Sequence, residues 1–350
     1  MLYKIIFRPL SILLGSERAG KLALSSLSLL DRGPVGRSIL RLRYGLPSLK
    51  KSGRKLSTEL FGLHFPNPVG IAAGMDRSGK YCGCLSDLGF GFVEVGSITA
   101  DPEKGFDRPR ISRMNKSRAI IHRCGAPNPG VMKVIENLQE SRRRGSIVAL
   151  NLTASPGSTK DSQIIDDYRR SFSMSYDFAD IFVINISAPN SNGVLTVQDS
   201  ASLAEIVDPL LDLRACYGVY KPILIKVASD IPLAQIDPII DWCRISGVDG
   251  IIAGNSPKAR PALQPTTRKS QRISGRSLSG QPVFESSLAL VKHIREYTDG
   301  RFPIIGCGGI MSPAQARAML LAGASLIQLY TGLVYEGPSL LRRILNHLVK

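Results

Sequence analysis

No apolar run in these 350 residues approaches the ~20 that a membrane-spanning helix needs. Cysteine is too sparse for a disulfide framework. Apart from Cys82-Gly-Cys84, the six cysteines are scattered, and no histidine lies near that pair. Metal-ligand spacing is therefore missing, and reduced thiols in a cytosolic setting are expected. No Gly-x-Gly-x-x-Gly follows the first apolar run, which argues against an open dinucleotide-binding sheet. Acids are scarce at the start. Residues 1–60 hold twelve Lys/Arg against Glu17, Asp31 and Glu59, a net of +9 within a total of +17. The basic residues interleave with Leu/Ile clusters and not with stacking aromatics. That composition disfavours nucleic acid and suits an anionic membrane surface.

What is present begins with those clusters. Ile5, Ile6, Leu10, Leu13 and Leu14 form one, and Leu22, Leu24, Leu27, Leu29 and Leu30 another, with Ser16-Glu17-Arg18 between them. They predict two short amphipathic helices within an extension over 1–44. A polar, basic linker follows, so that 45–66 leads into a main domain over 67–350.

From Val69 onward short apolar runs recur eight times: at 69–73, 92–95, 147–152, 181–186, 223–227, 250–253, 303–306 and 326–330. Helical spacing fills intervals such as 131–142, 203–213, 233–244, 288–297 and 313–322. Eight strands alternating with helices predict a (β/α)8 barrel. Its active site belongs at the carboxyl ends of the strands.

Residues at those ends share a chemistry. Lys226 interrupts the apolar run 223–227; it is either a structural ion pair or a fixed cation that stabilises an anion formed in reaction. Asn151, Asn185 and Asn255 sit at or past strand ends although Asn is a poor strand former. Three together suit a heterocycle with both donors and acceptors. Gly308-Gly309 and Tyr330-Thr331-Gly332 follow the last two strands, where barrels often bind phosphate through backbone N–H groups.

Several stretches together carry a resemblance: Asn67-Pro68-Val69-Gly70-Ile71-Ala72-Ala73-Gly74-Met75-Asp76, Glu94-Val95-Gly96-Ser97-Ile98-Thr99, Asn185-Ile186-Ser187-Ala188-Pro189-Asn190, Ile305-Gly306-Cys307-Gly308-Gly309 and Gln328-Leu329-Tyr330-Thr331-Gly332. The chain resembles the class 2, quinone-dependent dihydroorotate dehydrogenases over nearly its whole length. Ser16-Glu17-Arg18-Ala19 is similar to that class's helical extension, which lies on the membrane and admits quinone. The resemblance implies an FMN enzyme of pyrimidine biosynthesis that oxidises dihydroorotate to orotate. It further implies a monomer held peripherally at the cytoplasmic face of the membrane. FMN contacts are implied at Ala72, Ala73, Gly74, Met75, Asp76, Ser97, Asn151, Asn185, Lys226, Gly254, Gly280, Gly309, Tyr330 and Thr331. Substrate contacts are implied at Arg77, His122, Arg123, Cys124, Gly125, Ala126, Asn185, Asn190, Asn255 and Ser256.

The departures are concentrated on the substrate side. Ala188 stands where the family has its catalytic base, and a methyl group accepts no proton. Arg77 replaces a lysine, and His122 and Ala126 replace an asparagine and an aromatic. On the cofactor side Gly254 replaces a threonine. His122 is the candidate substitute base, since an imidazole with a pKa near ~6.5 is competent at neutral pH; a satisfied loop histidine is the equal alternative. Three functions follow: the family reaction with an unusual base, the same fold acting on another small cyclic or unsaturated acid, or a flavin-binding protein without catalysis.

Overall fold

The computed structural model describes residues 15–44, 56–158, 160–186, 200–258 and 277–350. Ala188 and Asn190, the first apolar cluster and residues 45–55 of the linker lie outside these residues.

Thirteen strands are described. β1 (Thr58–Leu60) and β2 (Leu63–Phe65) form a hairpin. β3 (Val69–Asp76), β4 (Phe92–Ile98), β7 (Ile147–Leu152), β8 (Ile181–Asn185), β9 (Ile223–Ala228), β10 (Gly250–Asn255), β12 (Ile304–Cys307) and β13 (Leu326–Leu329) close a parallel barrel in that order. All eight expected runs are these strands. They read as unbroken apolar segments because helices cover their outer faces. β5 (Ile111–Met114), β6 (Ala119–His122) and β11 (Ser277–Gly280) form a separate antiparallel sheet.

Strand parity sorts the side chains of the lower barrel. In β8, Phe182 and Ile184 pack outward into the core under the helices, whereas Ile181 and Val183 point into the barrel. Leu224, Ile252, Ile305 and Leu326 share that interior, and Phe65 of the β1–β2 hairpin packs with it. Phe65 meets Phe92 edge to face at 5.6 Å. One step up each strand the inward positions turn polar: Glu94, Asn151, Asn185, Lys226 and Gln328, all buried. An apolar lower barrel thus carries a polar floor.

Two helices precede the barrel, α1 (Ser16–Asp31) and α2 (Pro34–Tyr44). Ser16-Glu17-Arg18 forms the first turn of α1, which carries the second cluster, and the segment after Gly33 supplies a helix the clusters did not announce. Ala19 and Leu40 are buried, while Leu22, Leu29, Leu30, Val35, Ile39 and Leu42 remain exposed. Asp31 reaches the barrel through Arg143, which also binds Asp87 at 3.1 Å; Arg37 lies 3.8 Å from Asp31 and 3.9 Å from Asp87. Among the described residues no helix is long and apolar enough to cross a membrane.

Candidate active site

The floor begins at Glu94. Both its oxygens accept from Lys226 Nζ, at 3.0 and 2.8 Å. The same carboxylate accepts from Asn151 Nδ2 at 2.6 Å and from the Ala73 backbone N–H at 3.1 Å. Four strands, β3, β4, β7 and β9, therefore meet on one carboxylate. A buried lysine needs such a partner. Lys226 is thus an ion pair and also faces the cavity, so its charge is already balanced from below.

A chain of amides runs across the floor from Asn151. Asn185 Nδ2 donates to Ser97 Oγ at 3.0 Å and lies 3.4 Å from Asn151 Oδ1. Asn255 Nδ2 donates to Asn185 Oδ1 at 3.0 Å, and the Ser256 backbone N–H returns to Asn255 Oδ1 at 2.9 Å. Ser256 Oγ then meets His122 Nε2 at 3.1 Å. His122 stands at the end of β6, so the small sheet brings it over the mouth, opposite Ile111 and Ser277.

Most residues implied by the sequence line one cavity. Ala72, Ala73, Gly74, Ser97, Asn185, Lys226, Gly254, Gly280, Gly309, Tyr330 and Thr331 do so, and so do Arg77, His122, Cys124, Gly125, Ala126, Asn255 and Ser256. Four of the implied residues lie outside this lining. Met75 packs against the outer core, because parity turns it opposite to Gly74. Asp76 is fully buried and accepts from the backbone N–H groups of Ser78, Gly79 and Tyr81, so it holds the loop after β3. Asn151 lies beneath the cavity wall and is fully buried. Arg123 follows His122 and so points away; it is exposed and stacks over Phe106 at 4.4 Å.

Electrostatics separate the two cations of the lining. Lys226 is neutralised, whereas Arg77 forms no ion pair with a described residue. Burial opposes the Arg77 charge, but neighbouring Cys124 and Tyr330 outweigh it and hold its pKa up. His122 departs from the ordinary histidine range. Burial, aided by the Arg77 charge, lowers its pKa to about 4. Its ring is neutral at pH 7, and Nδ1 is buried without a partner among the described residues.

Two glycines show why side chains are excluded. A Cβ on Gly254, at φ 124°, would lie 1.6 Å from the Cys307 carbonyl oxygen. One on Gly309, at φ 70°, would lie 2.6 Å from Phe284 backbone atoms. The 280, 308 and 309 turns therefore bring bare backbone to the cavity edge, beside Thr331, whose Oγ1 donates to Ser279 Oγ at 2.9 Å.

Glu94, Gln328 and Ser279 were not singled out from sequence. For the first two a signal existed, since each is a polar residue inside an apolar run at inward parity. Gln328 Oε1 faces Lys226 Nζ at 3.5 Å, which orients the amide, and its Nε2 is buried with no partner among the described residues. An acceptor from a bound ring would complete it.

The sequence profile of the dihydroorotate dehydrogenase family matches residues 55–350. The chain belongs to this family. A Salinispora arenicola protein named dihydroorotate dehydrogenase (quinone) is 38% identical over 345 residues, spanning 98% of this chain and 97% of that one. A Methylococcus capsulatus protein of the same name is 36% identical, spanning 98% of each. The crystal structure of an Eimeria tenella dihydroorotate dehydrogenase with ferulenol superposes with a TM-score of 0.79 at 29% identity, covering 90% of this chain and 89% of that one. Among the described residues no group of His, Cys, Asp and Glu is placed to hold a metal ion, and all six cysteines are free.

Proposed function

We infer that this chain oxidises the CH–CH bond of dihydroorotate to give orotate, with FMN as resident cofactor and quinone as final acceptor. The observation that carries the FMN reading is the polar floor with its unpartnered Gln328 Nε2, set opposite bare backbone at Gly280, Gly308 and Gly309. A ring with acceptors fits the first and a phosphate the second. Ser97, Asn185, Lys226, Gln328 and Thr331 would hold it. Bound FMN supplies a two-electron acceptor for hydride.

The rest of the chemistry falls to the protein. Arg77 offers a cation that forms no ion pair with a described residue, suited to the carboxylate of an acid substrate. Asn185 and Asn255 present amide groups to a second ring. Cross-bonding from Asn151 to Ser256 fixes their orientation before substrate arrives, so little ordering cost remains.

The extension over 1–44 is assigned to a membrane surface, where it would admit quinone. Glu17 of α1 lies 3.3 Å from Arg108 and 3.7 Å from Arg110, which places the first turn of α1 beside the chain leading into the mouth sheet. Residues 45–66 join it to the barrel domain over 67–350. The assembly is assigned as a monomer, peripheral at the cytoplasmic face.

Anaerobic mixing with dihydroorotate tests the reading. The purified protein should be yellow with one FMN per chain, and its 450 nm region should bleach (an approximate flavin band, ~450 nm, of the cofactor itself). A second reading, oxidation of a related unsaturated or cyclic acid, is favoured by Arg77, His122, Ala126 and Ala188. In that case a panel of such acids bleaches the flavin and dihydroorotate does not.

A further inference from the structure

Removing a proton beside the hydride-donating carbon needs a base, and Ala188 cannot serve as one. The described cavity lining offers few substitutes. Arg77 and Lys226 are cations. Burial pushes the Cys307 thiol up to about 11, and burial also raises the Tyr330 phenol. Cys124 is engaged with Arg77 through its side chain. Ser97, Thr153, Ser279 and Thr331 also bring hydroxyls to the lining, but among the described residues Ser256 is the one whose hydroxyl meets an imidazole: Ser256 Oγ and His122 Nε2 are 3.1 Å apart.

The two come from distant parts of the fold. Ser256 follows β10, and its backbone N–H is tied to Asn255 Oδ1, which in turn belongs to the amide chain of the floor. His122 ends β6 in the mouth sheet, where Ser277 and Ile111 flank it in register. Both residues line the cavity. Ser256 sits one residue past an amide assigned to the substrate, so its hydroxyl lies at the substrate's edge. The charged group beside His122 among the described residues is Arg77, which disfavours the imidazolium and leaves the ring neutral at pH 7. A neutral ring has one nitrogen free to accept.

We propose that Ser256 and His122 form a two-residue proton relay that replaces the missing base, with Ser256 taking the substrate proton and His122 taking the proton of Ser256. This rests on the dihydroorotate reading above and deepens it. The C–H bond adjacent to the hydride-donating carbon breaks, and its proton passes to Ser256 Oγ. The hydroxyl's own proton passes to His122 Nε2. The electron pair left behind forms the new C=C bond as the neighbouring carbon releases hydride to the oxidised flavin. One proton ends on the imidazole and two electrons end on the flavin, so the step balances. The imidazolium, held beside Arg77, then releases its proton to solvent.

The test uses the FMN-loaded full chain and two readouts. In stopped-flow bleaching with dihydroorotate, Ser256→Ala and His122→Asn should each slow flavin reduction by roughly 10²-fold or more, the scale of general-base catalysis. The double variant should be no slower than either single one, because both act in one relay. Cys124→Ser alters the lining beside Arg77 but not the pair, and should slow reduction far less than Ser256→Ala; all variants should keep their FMN content and the flavin spectral shift on adding orotate. The second readout needs no turnover. In protein labelled with 15N-histidine, the His122 signal, identified by its loss in His122→Asn, should show Nδ1 protonated and Nε2 free. Ser256→Ala should shift its Nε2 resonance.

The failures are distinguishable. Wild-type flavin that dihydroorotate cannot reduce overturns the proposed reaction, and the relay with it. Reduction that is as fast in Ser256→Ala as in the wild type overturns the relay alone. So does an Nε2-protonated tautomer of His122, or a loss of rate in Cys124→Ser equal to that in Ser256→Ala.

Discussion

Lys226 Nζ bridges both carboxylate oxygens of Glu94, a residue 132 positions earlier in the chain, in a site where the two are 3% and 0% exposed. Removing one member of such a pair strands a buried charge, which costs about 3–5 kcal/mol. Lys226→Met should therefore lower stability by that order and release FMN. The double variant Glu94→Gln, Lys226→Met should regain part of the stability, since no charge is left unpaired, without regaining tight flavin binding. Thermal unfolding and flavin content after gel filtration check this. A single Lys226→Met that unfolds at the wild-type temperature would contradict the geometry.

His122 gives the fold an acid-sensitive element. Its folded pKa is about 4, against ~6.5 for a free histidine. Between these values the unfolded chain binds more protons, so stability falls as pH drops from ~6.5 towards 4. The full effect is about 3 kcal/mol. Denaturant titrations should show this loss in the wild type and a correspondingly flatter dependence in His122→Asn. Catalytically the same shift moves the expected midpoint: the rate should hold down to about pH 4 and not decline near 6.5.

The exposed face of α1 and α2 combines Leu22, Leu29, Leu30, Val35, Ile39 and Leu42 with a basic composition. The full chain should bind vesicles containing anionic lipid, and the attraction should weaken with salt. A chain starting at residue 45 should remain a flavoprotein but lose vesicle binding and reduce quinone poorly. Equal partitioning of the two forms in a flotation assay would disprove this.

The barrel strands were legible because each is a closed apolar run, covered on both faces. The mouth sheet was not. β5, Ile111–Met114, and β11, Ser277–Gly280, are four residues each with little apolar content, and β11 pairs with a β6 strand more than 150 residues away. No local pattern announces such a pairing. Family order located the site segments, but strand parity decided which residues face inward. That is why Gly74 and His122 reach the cavity while their neighbours Met75 and Arg123 do not; Arg77, past the end of β3, reaches it from the loop that follows. Glu94 was legible in principle as an acid within Phe92–Val95. The His122–Ser256 contact was not, since it joins two elements through the small sheet.

The attachment of the extension has a consequence for how the molecule sits. Asp31, Arg37, Asp87 and Arg143 join α1 and α2 to the barrel through two acids that are nearly buried. Salt screens charges on the outer face, whereas pairs partly withdrawn from water feel it far less. The same thirty residues thus have one side that lets go with rising ionic strength and one that does not. Detachment from a bilayer would leave the helices seated on the barrel, so the extension behaves as a fixed keel and not as a tether.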